Sequence, residues 1–219
     1  MGFDQYIDGH TIRAQVIMER QLHKGAFLIL EGTNDYRTLC TFIDRSKCNA
    51  VIAYGKNNAL AATHLLTAEG LDCIVCVVDA DFDRIVGVDN ADKHIAITDM
   101  HDMDVTIFST SALDTFLDQV ADVAKLSNIV QTTRKSIREI LLKSIEPLSR
   151  LRLINHSHSL YLDFKGLSFA FINLATLHCD QNALIDEVIA NSPAARCSRS
   201  ELQRLLASDI STQYDLMQL

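Results

Sequence analysis

Four short apolar runs, each followed by an acid or a glycine, constrain this chain more than any other feature. Phe27 to Leu30 stops at Glu31, residues 50–54 (AVIAY) at Gly55, Ile74 to Val78 at Asp79, and residues 94–98 (HIAIT) at Asp99. Apolar runs this short, rich in β-branched residues and bounded by turn formers, read as buried strands. The segments between them have helical length. After Glu31 and Gly32, Asn34 or Asp35 opens a helix through YRTLCTFID, and Asn57 opens another through ALAATHLLTAEG with Gly70 as its stop. Strands alternating with helices predict an α/β fold, a mostly parallel sheet with helices on both faces.

The flanks differ in character. Residues 11–24 place Ile12, Val16, Ile17 and Leu22 near one helical face, with Gly25 as the stop. Ser109 to Leu126 has the pattern of one helix, and residues 131–151 that of a longer basic one. Residues 160–177 fit no single element, and two further helices are expected near 181–190 and 199–207. The expected organisation is an α/β domain over residues 1–125 and a mostly helical lobe over 126–219.

At 219 residues the chain has room for one full core and a smaller lobe, and its apolar content of 48% is that of a globular protein. The net charge of −8 excludes a protein that grips nucleic acid through an overall positive surface, but not one that uses a metal or a local basic face. Such a face exists in Arg134, Lys135, Arg138, Lys143, Arg150 and Arg152, a phosphate track or a solvated helix surface. Six cysteines without an apolar leader suggest a reducing, cytoplasmic setting. Cys73 and Cys76 share the zinc-ligand spacing, yet an offset of three within a strand puts them on opposite faces, so both are expected in the core. No run is long enough to cross a membrane, and the opening MGF lacks the hydroxyl residue that myristoylation needs.

The chemistry concentrates at the ends of the strands. Open parallel sheets bind ligands beyond the carboxyl ends of their strands, where Glu31, Gly55, Asp79 and Asp99 all fall. If the backbone stays extended through VVDADFD, Asp79, Asp81 and Asp83 point one way while Ala80 and Phe82 point the other. Carboxylates so close repel unless a cation or proton joins them, and an all-oxygen donor set favours Mg²⁺ or Mn²⁺. Such ions activate water and stabilise a leaving oxygen in phosphoryl displacement. Glu31 is then a ligand or a general acid or base. One of Asp99, Asp102 and Asp104, with Asp102 or Asp104 favoured, is expected beside the metal or on a second one. Lys56 and Lys165 are candidate phosphate contacts, Asp35 a helix cap, and His101 a general base or an exposed loop residue. His156 and His158 have chelator spacing but are expected on the surface.

The ordered set LILEGTNDYR, YGKNNAL and VVDADFD resembles the Toprim domain of topoisomerases, primases and OLD-type nucleases. That resemblance implies a Toprim-like, Rossmannoid three-layer sandwich. It also implies that Glu31, Asp79 and Asp81 are the catalytic metal-binding residues, with Asp83 accessory. The helix before LILEG, the GKNNAL turn and TDMHDMD are similar to the Toprim-like effector of PARIS-type bacterial anti-phage systems. That similarity implies a nuclease that cleaves host RNA such as tRNA, or DNA, in abortive infection. It further implies restraint by an ABC-type ATPase subunit and a homodimer as the active form. Asp104 stands where relatives of that type carry glutamate, and those relatives run further past the last helix. Two other classes fit the acidic runs. One is a haloacid-dehalogenase-like phosphatase with Asp79 as nucleophile and Asp81 as acid, although that family's DxD follows its first strand. The other is a non-catalytic interaction module.

Overall fold

A computed structural model describes residues 6–88, 92–209 and 214–219 of the chain. The myristoylation pattern concerns the opening residues, of which 1–5 lie outside the described residues. Two compact units divide the chain, Met1–Phe108 and Ser109–Leu219, whereas the sequence places the change of character at 125/126. Ser109 to Leu126 is also not the one helix expected. Ala121 is extended (φ −93°, ψ 152°), and Asp122 caps a new helix by accepting hydrogen bonds from the N–H groups of Ala124 and Lys125.

The first unit runs α1 (Gly9–Arg20), β1 (Ala26–Leu30), α2 (Thr33–Leu39), β2 (Cys48–Ile52), α3 (Lys56–Ala68), β3 (Ile74–Val78), α4 (Asp83–Val86), β4 (Ile95–Ile97) and α5 (Met103–Ser109). The four strands form a wholly parallel sheet in the order β2-β1-β3-β4, a Rossmann-like α/β arrangement. Leu30 stands opposite both Ile52 and Val77, and Val78 opposite Ile97, so the carboxyl ends of all four strands lie along one edge. The chain leaves β1 for β2 on one side and returns past β1 to β3 on the other. Connections therefore diverge between β1 and β3, the switch point where open sheets take their ligands.

One face of the sheet is packed. Phe27 and Ile29 of β1, Val51 of β2, and Ile74, Cys76 and Val78 of β3 meet Ile12 and Val16 of α1 and Ala59, Ala62 and Leu66 of α3. A Cβ on Gly9 would sit 2.6 Å from Ala61 Cβ, so glycine allows α1 to approach α3 closely. The opposite face is thinner than the run-on apolar pattern predicts: Val75 is 41% exposed, and α2, only seven residues long, contributes no buried residue. Cys73 is also corrected. It lies before β3, exposed and with φ 60°, while Cys76 alone belongs to the core.

The second unit comprises α6 (Ala112–Val120), α7 (Val123–Thr133), α8 (Ile137–His158), a two-residue hairpin of β5 (Ile172–Asn173) and β6 (His178–Cys179), α9 (Gln181–Asn191) and α10 (Arg199–Asp209). The expected basic helix over 131–151 is broken at Arg134 (φ 55°). It restarts at a capping box in which Ser136 Oγ accepts from Glu139 N–H and the Glu139 carboxylate accepts from Ser136 N–H. Leu151 and Ile154 of α8 pack with Leu184, Ile185 and Val188 of α9 and Leu202 and Leu206 of α10. The charge is unevenly shared: the first unit carries 9 Lys and Arg against 16 Asp and Glu, the second 11 against 12. No helix among the described residues is long and apolar enough to cross a membrane.

Candidate functional site

The strand ends place the acids, and the turns that follow decide where each carboxylate goes. Glu31 leaves β1 directly at the switch point, and Asp79 leaves β3 beside it, so that Asp79 N–H points at Glu31 Oε2 across 3.4 Å. The loop after β4 comes to the same place. Met103 N–H, at the first turn of α5, donates to Asp79 Oδ1 at 2.9 Å. Asp102 caps that helix by accepting from Val105 N–H at 2.7 Å. Asp35 caps α2 from its third position: the helix begins at Thr33, and the Asp35 carboxylate reaches back to accept from Gly32 N–H at 2.8 Å.

These residues line an open polar cleft of about 290 Å³ whose acidic walls are Glu31, Asp35, Asp79, Asp102 and Asp104, joined by Thr33, Asn34 and Thr38. Crowding like charges in a half-buried cleft resists ionisation. Burial raises the Asp79 pKa to about 7; the Met103 hydrogen bond pulls it down, and the charges of Asp35, Glu31 and Asp102 push it up. Glu31 is also raised, first by burial, with the Asp79 N–H working against the rise and Asp81 adding to it. Asp35 is raised by burial and by Asp104 and Asp102, against the pull of Gly32 N–H.

Asp81 and Asp83 take a different course. The backbone does not stay extended past Val78: Asp81 is left-handed (φ 48°) and Asp83 opens α4. Ala80 and Phe82 are buried as the alternating pattern predicts, but the turn aims Asp81 and Asp83 at Lys56, whose ammonium lies 2.8 Å and 2.9 Å from their carboxylates. Burial works against the lysine charge, and the two hydrogen bonds outweigh it, so its pKa is raised. Lys56, first residue of α3, is thus a partner of acids and not a free cation awaiting phosphate.

Two residues that the sequence pattern does not single out, Thr98 and Arg84, and a third that it misplaces, His101, hold this geometry. Thr98 Oγ1 accepts from Ala80 N–H and donates to Met100 C=O, both at 2.9 Å, lacing the acidic turn to the loop after β4. Arg84 donates to the carbonyls of Thr98 and Asp99. His101 is neither an exposed loop residue nor a group facing the cleft. It is 4% exposed, stacks on Phe82 at 4.7 Å, and its carbonyl accepts the Asp81 N–H at 2.6 Å. Only their contact partners, invisible in a one-dimensional pattern, mark them out.

The remaining candidates lie elsewhere. Asp99 is exposed and outside the cleft lining. Lys165 belongs to the second unit, on an exposed turn held by Asn191. His156 and His158 are exposed in the last turn of α8, where imidazoles complement the helix dipole. Of the basic face, Arg138 pairs with Asp114, and Lys143 and Arg150 share Glu146, so it is no bare cationic track.

Among the described residues no group of three or more His, Cys, Asp or Glu is gathered as a metal cage. A Mg²⁺ ion does not need one, since it keeps several waters and takes one or two carboxylates together with substrate phosphates. The donor chemistry fits such an ion: two strand-end carboxylates with raised pKa values, facing a polar cleft, with only oxygen ligands near. No family model, curated protein or solved structure matches the chain, so a functional assignment rests on this geometry.

Proposed function

We propose that the chain is a divalent-metal-dependent phosphodiesterase of the Toprim type, acting as a nuclease. The observation that carries the proposal is the convergence of Glu31 and Asp79 at the β1/β3 switch point, each with its charged form disfavoured. Glu31, Asp79 and Asp102 are the residues that would hold Mg²⁺ or Mn²⁺, and the ion would stabilise charge developing on phosphate oxygens. The chain's own groups supply the rest. Met103 N–H fixes one Asp79 oxygen and leaves the other to the cleft. With a pKa raised by its burial, Glu31 holds a proton more readily than a free carboxylate, which suits it to general acid–base work. Lys56 neutralises Asp81 and Asp83, and a cation entering beside Glu31, which feels the Asp81 charge, would compete with it for Asp81.

The finer reading follows the sequence resemblance: an anti-phage effector whose substrate is host RNA such as tRNA, or DNA, and which an ATPase subunit restrains until infection. The test is cleavage of labelled tRNA and of duplex DNA by the purified chain with Mg²⁺. Cleavage that EDTA and Glu31→Gln each abolish is expected; cleavage retained in Glu31→Gln would overturn the proposal. Turnover of a chromogenic phosphate monoester without nuclease activity would point to the phosphatase class instead. The non-catalytic reading draws on the Lys56 ion pairs, which already satisfy two of the acids. It predicts no turnover with either substrate.

A further inference from the structure

The second unit contains a groove unrelated to the acidic cleft, bounded by α7, α8 and the β5–β6 hairpin. At one end is a hollow of about 430 Å³ whose lining includes Lys135, Lys143 and His178 together with the hydroxyls of Thr133, Ser144 and Thr176. It continues into a second hollow of about 310 Å³, walled by Ile129, Ile140 and Leu177 with the Asn128 amide at its margin. Thr133, Ile140, Thr176 and Leu177 line both, so the two halves are continuous. Each half has a volume in the range of small-molecule sites, roughly 300–1,000 Å³.

The halves differ in chemistry in a way that specifies a ligand. At the first end the nearby acids are engaged: the Glu139 carboxylate accepts from Ser136 N–H and Oγ, and Glu146 is shared by Lys143 at 2.8 Å and Arg150 at 3.9 Å. Lys135 forms no ion pair among the described residues. The Lys135 ammonium, the Lys143 ammonium that an entering anion would share with Glu146, an imidazole and several hydroxyls suit a phosphate, which accepts charge-assisted hydrogen bonds. The other end offers aliphatic walls and one amide able both to donate and to accept, which suits the flat faces and polar edge of a base. The shape of the groove is set by the hairpin: Leu177 adopts φ 54° at its turn, where Asn173 Oδ1 accepts from the N–H groups of Ala175 and Thr176.

We propose that this groove binds a nucleotide, phosphate at the Lys135–Lys143 end and base against Ile129 and Leu177. The source is either a free nucleoside monophosphate or the 5′-phosphorylated end of an oligonucleotide. This assignment stands apart from the chemistry of the first unit.

The test is calorimetric titration of the full chain with EDTA present, so that no divalent ion bridges ligand to the acidic cleft. The probes are AMP, adenosine, inorganic phosphate and a 5′-phosphorylated dinucleotide. AMP is expected to bind at least about tenfold more tightly than adenosine or phosphate, since only it spans both halves. Lys135→Ala combined with Lys143→Ala should weaken AMP by about tenfold or more, and Ile129→Glu likewise, with melting temperatures checked so that unfolding is not mistaken for lost binding. Tighter binding of the dinucleotide than of AMP identifies a strand end; equal binding identifies a free nucleotide. No AMP binding by the folded wild type, equal affinity for AMP and bare phosphate, or AMP affinity unchanged by both sets of substitutions would each overturn the proposal.

Discussion

Two groups of carboxylates emerge from neighbouring strand ends of one sheet and meet opposite fates. Asp81 and Asp83 turn toward Lys56, which neutralises both. Glu31 and Asp79 face each other and Asp102 across an open cleft; backbone N–H groups support both, Lys56 adds a weaker pull on Glu31, and both are left with raised pKa values. Lys56 neutralises the first group far more completely than the second. Two electrostatic environments therefore separate within five residues of sequence: the Lys56 cluster ties the turn together, and the Glu31–Asp79 pair keeps a disfavoured charge, the feature on which the proposed metal site rests.

Substitution at the two groups should break this contrast most visibly in activity. Asp79→Asn keeps the acceptor for Met103 N–H and removes the charge, so cleavage should fall by about 10²–10⁴-fold, the range for loss of an acid–base or metal-binding group. Asp83→Asn, whose charge is matched by Lys56, should cost less than about tenfold by the same kinetic assay. Equal losses would show that the two groups are one site.

Stability should respond in the reverse order. Lys56→Met removes the ammonium that joins Asp81 and Asp83. Breaking a buried pair costs about 3–5 kcal/mol, and the partial exposure of Asp81 (46% of its side chain) scales that down to about 1–2 kcal/mol, measurable by urea unfolding. A loss below about 0.3 kcal/mol would mean that the ion pairs do not hold the turn.

The external cation provides the next contrast. Adding Mg²⁺ at 100 times its dissociation constant stabilises a protein by about 2.7 kcal/mol if only the folded state binds it. Thermal unfolding of the wild type should shift upward accordingly, and Asp79→Asn should lose most of that shift. A Mg²⁺ response surviving in Asp79→Asn would move the metal away from this cleft.

The smallest effect is the pH dependence of the metal-free chain. Burial pushes the Asp79 pKa to about 7 in the folded chain, against 3.8 for an unperturbed aspartate. Below pH 3.8 the carboxyl is neutral in both states and the shift has no effect; as pH rises through about 7 the folded state must carry a charge it disfavours, and stability is lost. With EDTA present, Asp79→Asn should therefore melt about 2–4 °C above wild type at pH 8. The difference should vanish below pH 4, which a melting series across pH would show.

The four strands and the acids at their ends were legible because apolar runs of strand length punctuated by acids leave few alternatives. Their boundaries moved where local hydrogen bonds overrode composition. α2 begins at Thr33, with Asp35 capping it from the third position and not opening it, and the helix expected from Ser109 to Leu126 is interrupted where Ala121 extends and Asp122 caps afresh. His101 was misplaced for a similar reason. Its sequence neighbours are acids that suggest solvent, but the loop folds its ring onto Phe82.

The sequence by itself determined the parallel α/β plan and the edge where the acidic residues gather, because strand periodicity and residue chemistry act over a few neighbours. Only the tertiary structure decided which acids meet. The left-handed turn at Asp81, the reach of Lys56 from α3 and the amide of Met103 at the start of α5 come from segments tens of residues apart. Long-range packing chooses among carboxylates that local sequence makes look alike.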